Sequence, residues 1–342
     1  MPEVIPARIG AGCPDVSCSQ QTLRTKSVPP TVSVAIVTYN QKTYLREAIN
    51  SVIAQDYPNF EIVVADDGST DGTAELLRQF DRDHPGLFRL VLAEKNAGIT
   101  ANCNRALDAC TGEYISWLGG DDMMLPGRIS KQVAILEADP TLSACISAAD
   151  VFDSSTGASL FVKSAQIRGK REYGCVDYIR SGNCVLGSAA TVRRSMCPVN
   201  GHDWRVPVIS DFLFFIELSR NGNFFIQDDV LTRYRKHAGQ VTAGGTLEHP
   251  DLWMTLQIVE FQYPEMMPHT HKVRADYLFS RGAILINRGR PVESRLFLRN
   301  SFLYSWRLFT LAGLCFSYLP VRFQRWALDR RDERRAAVMR SG

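Results

Sequence analysis

Apolar residues in the first half of the chain come in short runs separated by longer stretches of helical spacing. SVAIVTY (33–39) is a β-branched run and predicts a buried strand. Between Lys42 and Gln55 the apolar positions are Tyr44, Leu45, Ala48, Ile49, Val52 and Ile53, the period of a helix. FEIVVA (60–65) predicts a second strand, followed by a helix over TDGTAELLRQF that Ser69 or Thr70 is expected to cap. LFRLVLA (87–93) predicts a third strand, with a helix from about Ile99. EYISWLG (113–119) predicts a fourth, then a helix over 127–138, and LSACISAADVF (142–152) a fifth.

Strands alternating with helices are βαβ units. The expected fold is therefore α/β, a largely parallel sheet covered on both faces. Ligands of such sheets bind beyond the carboxyl ends of the strands. Three polar clusters fall there: Thr38-Tyr39-Asn40, Asp66-Asp67-Gly68-Ser69 and Asp121-Asp122.

After about residue 165 the pattern loosens. VISDFLFFIELSRNG (208–222) predicts a helix begun by Ser210-Asp211. FFIQDDVLTRYRKH (224–237) predicts a strand ending in a basic, His-containing loop. From about 249 onward the spacing is helical, with 272–288 and 293–312 as a hairpin turning at Gly289-Arg290-Pro291. The expected organisation is a disordered Pro- and Ser-rich segment over 1–30, an α/β domain over 31–245 divided near 150, and a helical region over 246–342.

Composition changes this picture little: 45% hydrophobic and 22% charged residues exclude a disordered chain. Charge changes it more. Residues 288–342 hold twelve arginines against four acids, a balance of +8 that leaves −5 for the rest of a chain with net charge +3. A basic arm suits an anionic membrane surface; a solvated helix face is the plainer alternative. The most membrane-like stretch, 302–321, contains Arg307 and Pro320, so a surface helix is expected and a span is not. MPEVIPARIG has no apolar signal segment, and the nine cysteines contain no C-x-x-C pair. Reduced thiols and a cytoplasmic location are expected, with neither a disulfide framework nor a zinc site.

Adjacent carboxylates at a strand end suit a hard divalent cation, which one or two carboxylates hold together with substrate phosphates. Mn²⁺ accepts the same oxygen ligands as Mg²⁺. Capping the next helix is the alternative for Asp121 and Asp122, but capping needs one side chain and here there are two. Asp66 and Asp67 suit a ribose or base edge, or an N-cap run. There is no G-x-G-x-x-G after the first strand and no G-x-x-x-x-G-K-[ST], which counts against a dinucleotide dehydrogenase and a P-loop NTPase.

Taken in order, VSVAIVTYN, YLREAINSVIAQDYPNFEIVVADDGSTDGT, NAGITANCNRAL and GEYISWLGGDDMMLPGRI resemble the family 2 glycosyltransferases of GT-A fold. The likeness is close over 32–150 and looser over 151–240. It implies a Rossmann-like nucleotide-binding domain and an inverting, metal-assisted transfer of one sugar from a nucleotide sugar. A UDP-sugar is the favoured donor, and a glycan or lipid-linked glycan of the cell envelope the acceptor. By position, Thr38, Tyr39 and Asn40 would line the nucleotide pocket. Asp67 would bind the base, with Asp66 beside it. Asn96 and Gly98 would flank the donor, and Arg105 would approach its phosphates. Asp121 would face the ribose and sugar, Asp122 the metal (Mn or Mg), and His237 the metal or a phosphate. Asp211 would be the general base, though Ser210 stands where the family commonly has an acid, and a cap is its alternative role. The stretch Arg233–His237 with Gln240-Val241-Thr242 looks like a loop that closes on the diphosphate. Gln324-Arg325-Trp326 lacks the spacing of the polymerising synthases, so single addition is expected. Two other readings are a sugar-nucleotide nucleotidyltransferase, which lacks its usual basic Gly-rich loop here, and a non-catalytic nucleotide-sugar-binding scaffold. Nothing in the pattern points to nucleic acid.

Overall fold

The computed structural model describes residues 30–164, 166, 170–182, 184–240, 250–325, 327 and 330. The expected disordered segment 1–30 lies almost wholly outside the described residues.

The first half alternates as its pattern requires: β1 (Val32–Thr38), α1 (Lys42–Ile53), β2 (Phe60–Asp66), α2 (Thr73–Asp83), β3 (Phe88–Leu92), α3 (Ile99–Ala109), β4 (Tyr114–Gly119), the short β5 (Met123–Met124), α4 (Arg128–Ala138) and β6 (Leu142–Asp153). The second half adds β7 (Ser159–Lys163), β8 (Glu172–Tyr173), α5 (Cys175–Ser181), β9 (Ala190–Arg193), α6 (Ser210–Asn221) and β10 (Asn223–Lys236). Four helices follow: α7 (Pro250–Gln262), α8 (Met267–Asn287), α9 (Pro291–Tyr304) and α10 (Leu308–Ser317).

One sheet runs β3-β2-β1-β4-β9-β6-β10-β5, with β7 on β6 and β8 on β10. Its β3-β2-β1-β4 portion is parallel. Beyond β4 the sheet is mixed. β9 runs antiparallel to both β4 and β6, whereas β10 and β6 are parallel. Side chains alternate across the strands, so each strand feeds two cores. Val32, Val34 and Ile36 of β1 pack with Leu45, Ile49, Leu77 and Ile129 of the helices on one face. Ala35, with Val63, Ile115 and Trp117, packs on the other face against Ala106 of α3 and Phe212, Phe214 and Phe215 of α6.

Three local expectations are corrected. Ser69 and Thr70 do not cap α2: its N-cap is Gly72, in left-handed backbone, and Asp71 Oδ1 instead accepts from the Thr73 N–H at 3.0 Å. Ser69 Oγ and Thr70 N–H bind Asp66 and Asn40 instead, drawing the two strand ends together. The stretch Arg233–Lys236 is strand and not loop, because it pairs with Asp150–Asp153 of β6. Of the supposed closing loop, residues 241–249 lie outside the described residues. The second hairpin helix ends at Tyr304 and restarts at Leu308, since Ser305 and Arg307 are extended.

Parts of the last two helices have their polarity reversed, although Leu298 of α9 is fully buried and α7 and α8 bury ordinary apolar faces. In α9, Val292, Leu296, Arg299 and Leu303 share one face at helical spacing and are exposed, while Ser294 and Ser301 are fully buried. In α10, Leu308 and Leu311 face outward and Thr310 and Ser317 inward. Trp306, between the two helices, is 80% exposed. A surface helix of a soluble domain ordinarily does the opposite.

Candidate active site

β4 ends at Gly119, and the two carboxylates follow Gly120. A Cβ on Gly119 would stand 2.7 Å from Asp121 Oδ1 and 3.1 Å from Asp122 Oδ2. A Cβ on Gly120 would stand 2.7 Å from Gln41 Oε1 and 2.8 Å from Thr38. The glycine pair is therefore steric in origin: it lets the chain turn at the strand end with both carboxylates folded against the backbone.

The carboxylates are not equivalent. Asp121 Oδ2 lies 3.0 Å from His237 Nε2, whose ring rests 4.9 Å from that of Tyr44. Asp122 is only 2% exposed, and its Oδ1 accepts from the Arg235 N–H at 2.9 Å. Burial, and then the charge of Asp121, hold the Asp122 carboxyl well above the usual carboxylate range. Neither residue caps α4, whose N-cap is Gly127. Arg235 fixes both from behind: its Nε donates to the Asp121 carbonyl at 2.7 Å and its Nη2 to Glu47 at 2.6 Å.

A second buried cation stands near Asp122. Arg128 is fully buried and donates to the carbonyls of Trp117, Ser188 and Ala190 and to Thr232 Oγ1. Burial pulls its guanidinium down to about 9, against the opposing charge of Asp122.

At the next strand end Asp67 Oδ1 and Oδ2 accept the Ala97 and Gly98 N–H groups at 2.9 and 2.8 Å. Arg105 Nη1 donates to the same Oδ1 at 2.8 Å. A carboxylate has about four lone-pair directions, so one remains for a ligand. Asn40 adopts φ 52°, a left-handed conformation that asparagine tolerates, and its Oδ1 accepts from Thr70 N–H at 2.8 Å.

The strand-end carboxylates Asp67, Asp121 and Asp122, with Asn40 and His237, border one cleft of about 1170 Å³. Of the residues singled out from sequence, Thr38, Tyr39, Asn40, Asp67, Asn96, Gly98, Asp121, Asp122, Asp211 and His237 line it. Asp66 and Arg105 do not. Asp66 is buried and ties down Ser69, and Arg105 reaches the cleft only through Asp67. Asp211 sits in the first turn of α6, but the N-cap there is Ile209. The N–H groups of Val208 and Ile209 are taken by Asp251 Oδ2 of α7, at 2.7 and 2.9 Å.

Several cleft residues were not singled out from sequence, and Lys236 was singled out only as part of the stretch Arg233–His237. Lys163 and Lys236 bring further positive charge to the wall, and Trp117 and His202 form part of the floor. Trp117 lies within an apolar strand and reads as core, and His202 lies in a loop without a motif; only their three-dimensional neighbours mark them out.

A divalent cation fits the Asp121–His237 side. Among the described residues no cage of three or more His, Cys, Asp or Glu groups exists. An imidazole and one or two carboxylates on an open wall leave positions for phosphate oxygens and water, which is how Mg²⁺ and Mn²⁺ are usually held with nucleotides.

A cleft at the carboxyl ends of a Rossmann-like sheet, with polar groups from β1, β2 and β4, is where α/β domains hold their ligands. Residues 33–195 match the family described as Glycosyl transferase family 2. EpsE of Bacillus subtilis, named as a glycosyltransferase, is 39% identical over 108 residues, covering 32% of this chain and 39% of EpsE. The chain likewise spans 64% of the length of a Mycobacterium bovis relative, at 28% identity over 66% of this chain. TarS of S. aureus, in complex with UDP-GlcNAc, superposes with TM-score 0.56 at 16% identity, over 87% of this chain and 92% of that one. The mannosyltransferase PcManGT of Pyrobaculum calidifontis, in complex with GDP-Man and Mn²⁺, gives TM-score 0.55 at 20% identity, over 87% and 83%. These two likenesses define the fold as GT-A-like.

Proposed function

We propose that this cleft transfers one sugar from a nucleotide sugar to a hydroxyl of a glycan or lipid-linked glycan, with inversion. The observation that carries the reading is the convergence on one cleft of Asp67, the Asp121–His237 pair and Asp211. The nucleoside would lie along Thr38, Asp67 and Asn96, and its diphosphate beside Asp121, His237 and Lys236. Asp211 would take the proton of the acceptor hydroxyl as its oxygen attacks the anomeric carbon. The new bond forms on the face opposite the breaking bond to phosphate, and the nucleoside diphosphate leaves with the electron pair. Asp121, Asp122 and His237 would hold the divalent cation, which when bound neutralises the charge of the leaving diphosphate. TarS crystallised with UDP-GlcNAc supports a UDP-sugar as the donor to try first.

The reversed polarity of α9 and α10 supports a peripheral position at an anionic membrane, where a lipid-linked acceptor would be presented. Among the described residues no helix is long and apolar enough to cross a membrane.

A thermal-shift panel of UDP, GDP, dTDP and CMP, each with Mn²⁺ or EDTA, tests the reading. Ligand at about 100 times its Kd adds about 2.7 kcal/mol of stability. The expected result is a metal-dependent rise with one diphosphate that is lost in Asp121→Asn and His237→Ala. No rise with any nucleotide overturns it.

A further inference from the structure

Two polar atoms on the cleft floor have no partner. Trp117 Nε1, from β4, and His202 Nε2, ahead of α6, are both buried, and neither meets a hydrogen-bond partner among the described residues. Both side chains line the cleft. Their rings meet edge to face, with centroids 5.6 Å apart and planes at 82°. His202 lies flat on Phe214 at 4.3 Å, and the Phe214 ring meets the Trp117 ring edge-on at 6.2 Å. Buried polar atoms are nearly always paired, and an orphan is costly. Two orphans side by side in the floor of a ligand cleft mark the place of a polar group that arrives with the ligand.

The chemistry of that group follows from the ring orientations. Asn104 Oδ1 accepts the His202 backbone N–H at 2.7 Å, and His202 Nδ1 pairs with Ser210 Oγ at 3.1 Å. In the tautomer whose Nδ1–H donates to Ser210, which the proposal takes, Nε2 presents a lone pair, whereas Trp117 Nε1 can only donate. One donor and one acceptor on two touching side chains of the cleft lining match a single hydroxyl, which accepts from one and donates to the other. The aromatic faces around them suit the C–H surface of a pyranose.

We infer that Trp117 Nε1 and His202 Nε2 form a subsite for one hydroxyl of the transferred sugar and select donors by the configuration at that carbon. The inference rests on the glycosyltransferase reading of the cleft. Ser210, which orients His202, precedes Asp211 on α6, so the subsite and the proposed base share one helix turn.

His202→Phe and Trp117→Phe keep an aromatic ring in place and delete one polar atom each. Calorimetry without acceptor compares nucleoside diphosphate with nucleotide sugar on wild type and both variants. The expected result is unchanged diphosphate affinity and about tenfold weaker nucleotide-sugar binding in each variant. A donor deoxygenated at one ring carbon should lose the same factor on wild type and nothing further on the variants. This arm stands even if a variant fails to fold. Equal nucleotide-sugar affinity in all three proteins overturns the subsite. So does a loss shared equally by the diphosphate, or one that appears only in the acceptor KM. If wild type binds no nucleoside diphosphate at all, the parent reading falls and the subsite with it.

Discussion

Asp211→Asn preserves the shape of the side chain in the first turn of α6 and removes its basicity. Donor affinity, read by calorimetry, is expected to hold while transfer falls about 100-fold or more, the lower range for general-base loss. Normal transfer in that variant would move the base elsewhere. His202 makes a different prediction, on stability. Burial pulls its imidazole down to about 4 from the ordinary 6.5, so the unfolded chain binds the proton more readily than the folded one. Its contribution is fully present above about pH 6.5 and is lost as pH falls toward 4, by about 3 kcal/mol over that window. His202→Phe has no such proton to bind, and its urea midpoint should fall less steeply than that of wild type between pH 6.5 and 4. Sequence alone made Asp67, Asp121, Asp122 and Asp211 legible, because carboxylates at strand ends and helix starts have few structural uses. It could not separate Asp66, which is tied into a turn, from Asp67, which faces the cleft. Nor could it reveal Arg105 as a support for Asp67, because that role depends on a partner 38 positions away.

Arg128, fully buried, is one of the side chains that fasten α4 to the sheet. Arg128 bonds carbonyls of β4 and β9 and the segment between, together with Thr232 of β10, and offsets the buried charge of Asp122. Arg128→Met would take the guanidinium donors away from those buried carbonyls and from Thr232. A loss of about 3–5 kcal/mol is expected, the range for breaking a buried charge arrangement from one side; the urea midpoint measures it. A fall under about 1 kcal/mol would mean that the site tolerates an apolar stem there. β1, β2 and β4 and their helices were readable from apolar period, since each of these strands is buried on both faces and each helix on one; the edge strand β3 is only half-buried and was read from its apolar run. β9 was not read, because four residues with no turn signal carry too little pattern. The break between α9 and α10 was hidden because 302–321 is apolar almost throughout, and continuous apolarity reads as one helix.

The whole molecule pairs an open cleft with a helical end whose outer face is apolar and basic. Between 288 and 325 the chain has seven arginines and one acid, Glu293, which Arg290 engages. Arg288, Arg299, Arg322 and Arg325 are exposed among Leu296, Leu303, Leu308 (86% exposed), Tyr318 and Phe323. Water disfavours such a face, whereas a bilayer interface accepts both halves of it: apolar side chains enter the headgroup boundary, and each arginine near an anionic surface adds about 1 kcal/mol. The protein is therefore expected to co-sediment with vesicles containing phosphatidylglycerol and much less with pure phosphatidylcholine, and 0.5 M salt, which shortens the Debye length below about 5 Å, should weaken the binding. Leu296→Glu with Leu308→Glu alters only outward side chains, so folding and nucleotide binding should persist while vesicle binding falls tenfold or more. Equal sedimentation of wild type and the double variant would remove the membrane from the account. A dimer in solution that the same pair of substitutions dissociates would instead assign this face to a second copy of the chain.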